Sequence, residues 1–476
     1  MRRSMRRECR SRWIAVMGGI VALFLAGPVI ATAGGTDPGA AGTRTSERAA
    51  LEDRIRELEA ALTAVKAELS RMKGGAPAGE AARIAELEKR IEALSREIER
   101  LSLGEAAAPA AGASVHGFGP AASKVYKVRQ GVSVGGYGEM LYQNFAGDKD
   151  DDTPSNAVSE ADFLRAVLYF GYKFNDRILF NSEIEFEHAI AGEAKTGEVA
   201  LEFAYLDFKL AKGLGARGGL LLLPMGFLNE LHEPPIFLSA KRPEVERVII
   251  PTTWRENGVG LYGDAGPIAW RAYAVTSPRA SGFSESQGIR GGRQGGAKAR
   301  AADIGVAARV DWSPAPGFLL GASGFTGKTG QRVTGFPEGR LSLWDAHVEW
   351  KWRGFQVRGL YARGILGDAA AISALLSSDI AERLTGWYAE AGYNVLAALK
   401  RTEQELNLFC RYEELDTQDR LPAGSTADPA NDMTVRTCGV QYRPIPHIAV
   451  KVDATNFSNG AGTAIDQVNF ALGYLF

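Results

Sequence analysis

Few residues in this 476-residue sequence are placed to make or break covalent bonds. The five histidines, His116, His188, His232, His347 and His447, are scattered, with no pair at metal-ligand spacing. His188, at the top of a predicted strand, is the nearest to a hydrolase histidine, and no serine is indicated beside it. The glycines Gly291, Gly292, Gly295 and Gly296 do not lead from a strand into a helix, so they read as a flexible loop rather than a phosphate cradle. No catalytic residue, metal or cofactor is expected, and the chain does not read as an enzyme. What is placed regularly is charge. Arg165, Lys173, Arg217, Arg271, Arg309, Arg358, Arg411 and Lys451 alternate with apolar neighbours, as do Glu183, Glu185, Glu187, Asp345, Glu349, Glu390 and Asp453. A second group, Lys241, Arg242, Arg247 and Arg255 against Glu230, Glu233, Glu244, Glu246 and Glu256, lies with His232 and Pro234-Pro235 in one long stretch from 224 to 256. A third stretch, 277 to 302, sets Arg279, Arg290, Arg293, Lys298 and Arg300 against Glu285. Fixed charges of this kind attract and orient ions and polar solutes.

The elements that must hold these charges have a period of two. Leu164, Ala166, Leu168, Phe170, Tyr172 and Phe174 alternate with Arg165, Val167, Tyr169, Gly171 and Lys173. Val468, Phe470, Leu472, Tyr474 and Phe476 alternate with Gln467, Asn469, Ala471 and Gly473. A soluble sandwich and a membrane barrel both alternate, with the apolar face turned to a core or to lipid. Turn spacing separates them. Sixteen strands are predicted, starting near residues 131, 162, 177, 198, 215, 257, 267, 303, 317, 341, 354, 385, 403, 432, 446 and 465. Their connections alternate short and long, as antiparallel strands require if both ends of the barrel domain lie on the short-turn, periplasmic side. The fold class expected is all-β, a 16-stranded antiparallel transmembrane barrel over 130–476, with 18 strands as the other count. The charges named first would then point into the lumen. Facing walls of opposite sign would set a transverse field, and an uncompensated ring would select ions.

Composition agrees. Lys plus Arg number 55 against 56 for Asp plus Glu, which leaves no bulk positive charge for nucleic acid. The 56 glycines and the three cysteines exclude a disulfide scaffold, and a hydrophobic content of 45% excludes a disordered chain. Residues 1–33 read as a secretory signal peptide: six arginines within Met1 to Arg12, an apolar stretch from Trp13 to Ala26, and Ala31-Thr32-Ala33 before the cleavage point. An arm over 46–103 follows in two helical runs. Leu51, Ile55, Leu58, Leu62, Val65, Leu69 and Met72 form one 3,4 seam, and Ile84, Leu87, Ile91, Leu94, Ile98 and Leu101 a second, whose register slips by one across Gly74 to Gly79. The runs either associate between chains as a coiled coil or fold back as an antiparallel hairpin. Residues 104–129, rich in Ala, Gly and Pro, read as a flexible linker.

The barrel region, with Gly218-Gly219-Leu220, Pro224-Met225-Gly226 and the long insertion after them, resembles the phosphate-selective porin O and P family of outer-membrane porins. That family places a Lys just before the Pro-x-Gly turn, where this chain has Leu220 to Leu223. The resemblance implies a homotrimeric outer-membrane channel passing small hydrophilic solutes or ions. It also implies a pore constriction loop after the fifth strand, carrying Lys241, Arg242, Arg247, Arg255, Glu244 and Glu246, although a charged loop also serves as plain solvated surface. Together with the basic stretch 277–302, it points to anions. Tyr474 and Phe476 resemble the terminal insertion signal of bacterial barrels and equally suit any lipid-facing last strand. The expected partners are outer-membrane lipid, the solute, two further copies of the chain and, through a periplasmic arm, the cell wall. In the alternative function the arm tethers the envelope and the barrel is its anchor. Cys410 and Cys438 fall at mirror positions about the predicted turn on one lipid-facing side, so both a disulfide and two reduced thiols suit them.

Overall fold

The computed structural model describes Thr63 and residues 115–128, 130–192, 194–399 and 404–476. The signal peptide, nearly all of the arm with its coiled-coil or hairpin alternatives, and the first part of the linker lie outside the described residues. From Gly131 onward the chain is built of strands, because β-branched and aromatic residues alternate with polar ones between Gly-, Pro- and Asn-rich turns. The first eight are β1 (Gly131–Phe145), β2 (Glu160–Lys173), β3 (Ile178–Glu187), β4 (Val199–Ala211), β5 (Leu214–Leu222), β6 (Arg255–Ala265), β7 (Ile268–Thr276) and β8 (Ile304–Trp312). The second eight are β9 (Phe318–Lys328), β10 (Arg340–Trp352), β11 (Phe355–Leu366), β12 (Arg383–Asn394), β13 (Glu405–Arg420), β14 (Asp432–Ile445), β15 (Ile448–Asn459) and β16 (Gln467–Leu475). Each begins within two residues of its expected start.

Every strand pairs antiparallel with its sequence neighbours, and β1 pairs with β16 to close the barrel, Tyr137 opposite Leu475. Phe476 adds the last closing contacts by exchanging backbone hydrogen bonds with Gly136. The outward face carries Val132, Val134, Leu168, Phe170, Val259, Val306, Val310 and Leu320, all exposed. Aromatic pairs mark its two ends. Trp344–Tyr361 and Trp387–Tyr412 stand toward the long connections, and Trp350–Trp352 and Phe355–Tyr393 toward the short turns. β13 runs past the expected turn at 414 to Arg420, because Leu415 and Thr417 still point inward and are buried while Glu414 faces out. Cys410 and Cys438 are directly opposed, with Cα atoms 4.1 Å apart, and are joined as a disulfide on the outer face.

The interior departs from expectation. Sixteen strands ordinarily enclose an aqueous lumen, yet inward side chains here are buried beneath segments folded into the barrel. Residues 223–254 cross from β5 to β6 through the interior. Residues 115–128, read from composition as the end of a flexible linker, pack against the inner wall near the short turns and contain a single helical turn, α1 (Lys124–Lys127). Phe118, Ala121, Ala122 and Val125 are buried there. Small residues suit that narrow space: Val125 lies so close to Gly171 that a Cβ on the glycine would come within 2.6 Å of its Cγ2. At the long-connection end, α2 (Ala369–Leu376) buries Ile372 beside Leu366, Ile380 and Leu384.

Candidate functional site

The inward segment starts where β5 must stop. Gly226 takes a left-handed backbone, φ +59°, and its N–H donates to Asp345 Oδ2 at 3.1 Å, so Pro224-Met225-Gly226 turns the chain off the wall and into the barrel. From there the segment touches the wall nearly all the way round. His232 meets Glu183 of β3, Glu230 pairs with Arg271 of β7, Phe227 lies edge-on to His347 of β10 at 4.7 Å, and the Arg358 guanidinium of β11 lies 4.9 Å over its ring. Glu246 accepts from the Leu228 N–H at 2.6 Å and from Tyr388 Oη of β12 at 2.7 Å. On the last strands, Gln441 donates to Phe237 O at 2.8 Å, Lys451 to Ser239 O at 2.9 Å, and the Ala240 N–H to Asp453 Oδ2 at 2.5 Å. The N-terminal segment is held to it as well, since Glu233 Oε1 accepts from the N–H groups of Ala121 and Ala122 at 3.0 and 3.1 Å. Burial pushes the Glu233 carboxyl up to about 7, those two donors and His232 opposing it.

The wall charges named from strand parity all stand on the inner face, and they are interleaved rather than segregated. Arg165 pairs with Glu139 and Glu185, Arg217 with Asp207, Arg271 with Asp311 and Glu230, and Arg309 with Asp311. Farther round, Arg358 pairs with Glu349, and Arg411 with Glu390 and Glu413. Lys173 donates to Val128 O at 2.9 Å, and Lys451 lies 3.6 Å over the Phe237 ring. Glu187 ends β3 half-buried. The two walls of opposite sign considered from the sequence are thus not what the barrel builds. Cross-strand register and i,i+2 spacing along a strand put carboxylates beside six of these cations, even where Arg271 stands directly opposite Arg309.

The second and third charge groups meet each other. Arg290 Nη1 donates to Arg247 O at 2.6 Å and to Thr252 O, and Arg293 Nη1 donates to Pro251 O and Thr253 O, both at 2.9 Å. The basic stretch 277–302, whose glycines 291–296 read as a flexible loop, is therefore folded onto the inward segment. Arg247 pairs with Glu244 at 2.6 Å, Lys241 reaches the same carboxylate at 4.0 Å, and Arg255, which is the first residue of β6 rather than a loop residue, pairs with Glu202. Arg247 and Lys241 hold Glu244 below the usual carboxylate range although burial alone would raise it. Arg242, Arg290 and Arg293 form no ion pair among the described residues and remain half-buried. Burial and the neighbouring guanidinium groups pull Arg290 down to about 9, and burial with Arg255 pulls Arg293 to about 10 against Glu202, Glu256 and Glu187, so both stay charged at neutral pH. Tyr474 and Phe476 stand on the outer face, exposed.

One group escaped sequence reasoning altogether. Glu202 lies at a β-bulge between the pairs Glu183–Phe203 and Ile184–Leu201, so it turns inward together with its neighbour Phe203, both fully buried. Strict alternation puts it on the outside. Facing inward, it joins Glu183 and His232, and the three offer ligand atoms within 4.8 Å of one another.

No family model matches the chain. It is 41% identical over 349 residues, 71% of this chain and 78% of the other, to an uncharacterized protein of Aquifex aeolicus (strain VF5). Among solved structures it is similar to the Salmonella typhi OmpF complex with daunomycin, at 13% identity and a TM-score of 0.49 over 73% of this chain and 98% of that one. It is also similar to the outer membrane channel DcaP of Acinetobacter baumannii, at 13% identity and a TM-score of 0.45 over 72% and 97%. The anion-selective porin from Comamonas acidovorans matches at 11% identity and a TM-score of 0.43 over 72% and 99%. What this barrel does is read from its own interior.

Proposed function

We propose that this chain, which belongs to one family with the Aquifex aeolicus protein, is an outer-membrane channel for small hydrophilic solutes. Anions are preferred, and passage is restricted by the inward segment. The carrying observation is the contrast between two sets of charge. Six of the eight wall cations are ion-paired and Lys173 and Lys451 are held by carbonyls and a ring, whereas Arg242, Arg290 and Arg293, half-buried where the inward segment meets the stretch 277–302, form no ion pair among the described residues. Fixed cations of this kind raise the local anion concentration and repel cations. They also suit the anion preference implied by the resemblance to phosphate-selective porins. The membrane assignment is supported by the outer face. Trp344 and Trp352 are eight residues apart on β10, about 26 Å along the strand at roughly 3.3 Å per residue. Tilted by about 40°, that is roughly 20 Å along the barrel axis, close to the apolar band of outer-membrane barrels. The reading is transport rather than catalysis. A homotrimer accords with the exposed apolar wall.

The packed interior favours one second reading, in which the barrel is an anchor and the arm contacts the cell wall. Conductance of the purified full chain in planar bilayers separates the two. Discrete channels with an anion-directed reversal potential support transport, and a silent barrel that co-sediments with cell-wall sacculi through its arm supports tethering.

A further inference from the structure

The geometry points to a divalent metal site made by Glu183, Glu202 and His232, which pins the inward segment to the barrel wall. The three residues come from three separate pieces of chain: the middle of β3, the bulge of β4 and the inward segment. All three side chains are buried. His232 Nδ1 lies 3.1 Å from Asn229 O, which can only accept, so Nδ1 carries a proton and the lone pair open to an ion, once its own proton is displaced, is the one at Nε2. That lone pair faces Glu183 Oε1 at 3.0 Å and Glu202 Oε2 at 3.4 Å. A single proton on Nε2 serves Glu183 and leaves Glu202 Oε2 without a hydrogen-bond partner, whereas an ion in its place bonds all three atoms at once.

The surroundings orient the ligands and leave one oxygen of each carboxylate without a partner. Glu202 Oε1 is taken by Arg255 Nη1 at 2.9 Å and Thr253 Oγ1 at 2.5 Å, while Glu202 Oε2 and Glu183 Oε2 are buried with no hydrogen-bond partner. Asn229, which holds His232, is itself fixed by donating to Leu223 O and Trp254 O at 2.7 and 2.9 Å and by accepting from the Trp254 N–H at 2.6 Å. Tyr137 packs edge-on to the His232 ring at 6.2 Å. Such outer contacts are what orient metal ligands. The nearby cations are largely engaged elsewhere, Arg165 with Glu139 and Glu185 and Arg255 with the other oxygen of Glu202, which leaves Arg242 as the unpaired one. Around an ion with bonds of about 2.1 Å, adjacent ligand atoms are roughly 3.0 Å apart at right angles and roughly 3.4 Å apart at tetrahedral angles. The two nitrogen-to-oxygen separations match those edges. One imidazole with two carboxylates suits a first-row divalent ion, Zn²⁺, Mn²⁺ or Fe²⁺, better than the all-oxygen preference of Ca²⁺ or Mg²⁺.

The test uses the full chain in detergent, stripped with chelator and dialysed against Zn²⁺ or Co²⁺, with metal content measured per chain and the visible absorption of Co²⁺ recorded. The expected result is one tightly held ion per chain and a saturable Co²⁺ band that one equivalent of Zn²⁺ abolishes. Binding weakens at least tenfold in Glu183→Gln and His232→Ala and is unchanged in His188→Gln, which removes a half-exposed histidine elsewhere. Folding of each variant is checked by its heat-dependent shift in gel mobility. If a variant does not fold, the wild-type band and its displacement by Zn²⁺ decide alone. A wild-type chain that holds no ion after reconstitution, or that binds Zn²⁺ no better than the folded variants, overturns the proposal and leaves His232 as an imidazolium shared by two carboxylates.

Discussion

Replacing Arg290 and Arg293 together separates charge from mechanical hold. The pair supplies two positive charges and four hydrogen bonds to carbonyls of the inward segment, at Arg247, Pro251, Thr252 and Thr253. A unit charge about 8 Å from a permeating ion in water contributes roughly 0.5 kcal/mol. Losing two costs an anion about 1 kcal/mol and relieves a cation of as much. Screening at about 0.1 M salt, with a Debye length of about 10 Å, roughly halves that difference of about 2 kcal/mol, leaving roughly fivefold in the anion-to-cation permeability ratio. The four bonds have charged donors, each worth about 1.5 to 3 kcal/mol when buried. Because both side chains are half-buried, water replaces part of that and the low end applies. Arg290→Ala with Arg293→Ala should therefore lower anion preference about fivefold and raise conductance as the segment loosens. Arg290→Lys with Arg293→Lys keeps the charges but loses the planar fork, so it should raise conductance while preserving selectivity. The assay is the reversal potential in a KCl gradient across a planar bilayer, with folding confirmed by gel mobility. Unchanged selectivity in the alanine pair, or an equal loss in the lysine pair, refutes the reasoning.

Arg411→Leu leaves Glu390 and Glu413 buried without their cation and removes a donor to Ser239. A loss of about 3 to 5 kcal/mol is expected, seen as a lower temperature for the mobility shift of the folded barrel, and an unchanged temperature would count against the buried pairing. Gly473→Val places a Cβ 2.5 Å from Pro234 Cβ, so it should cost about 1 to 3 kcal/mol by the same readout, whereas open space at this site would make it neutral. Peptide mapping without reductant should recover Cys410 and Cys438 in one linked peptide, and separate alkylatable peptides would contradict the bond. Native mass measurement should show trimers of the full chain. A truncation testing the arm should begin near residue 114 so that the packed segment 115–128 is kept, and monomers in both samples would refute the assembly.

Most of the barrel is legible in the sequence, because lipid on one side and a charged interior on the other force strict alternation, and turns interrupt it at the strand ends. That same alternation placed Arg165, Arg217, Arg309, Arg358 and Arg411 on the inner face. It fails wherever the backbone breaks period. Glu202 is hidden by the bulge that turns it inward, and with it the grouping of Glu183, Glu202 and His232, which span 49 residues with no common spacing. Partners are illegible for a second reason. Whether Arg411 meets Glu390 depends on the cross-strand register of β12 and β13, which a one-residue shift would change. Composition misled in two places. Segment 115–128 falls at the end of a stretch whose Ala, Gly and Pro over 106–122 read as flexible, yet Ala121, Ala122 and Val125 are buried against the wall. The glycines from 291 to 296 read as loose, yet Arg290 and Arg293 among them anchor that stretch to carbonyls.

The central claim is that the barrel, narrowed by the inward segment, conducts and prefers anions. Single-channel recording of the full chain in a planar bilayer under a KCl gradient tests it most directly. Discrete openings with a reversal potential of the sign set by chloride are the predicted result, and a correctly folded barrel that stays silent, or one that reverses toward potassium, would contradict it.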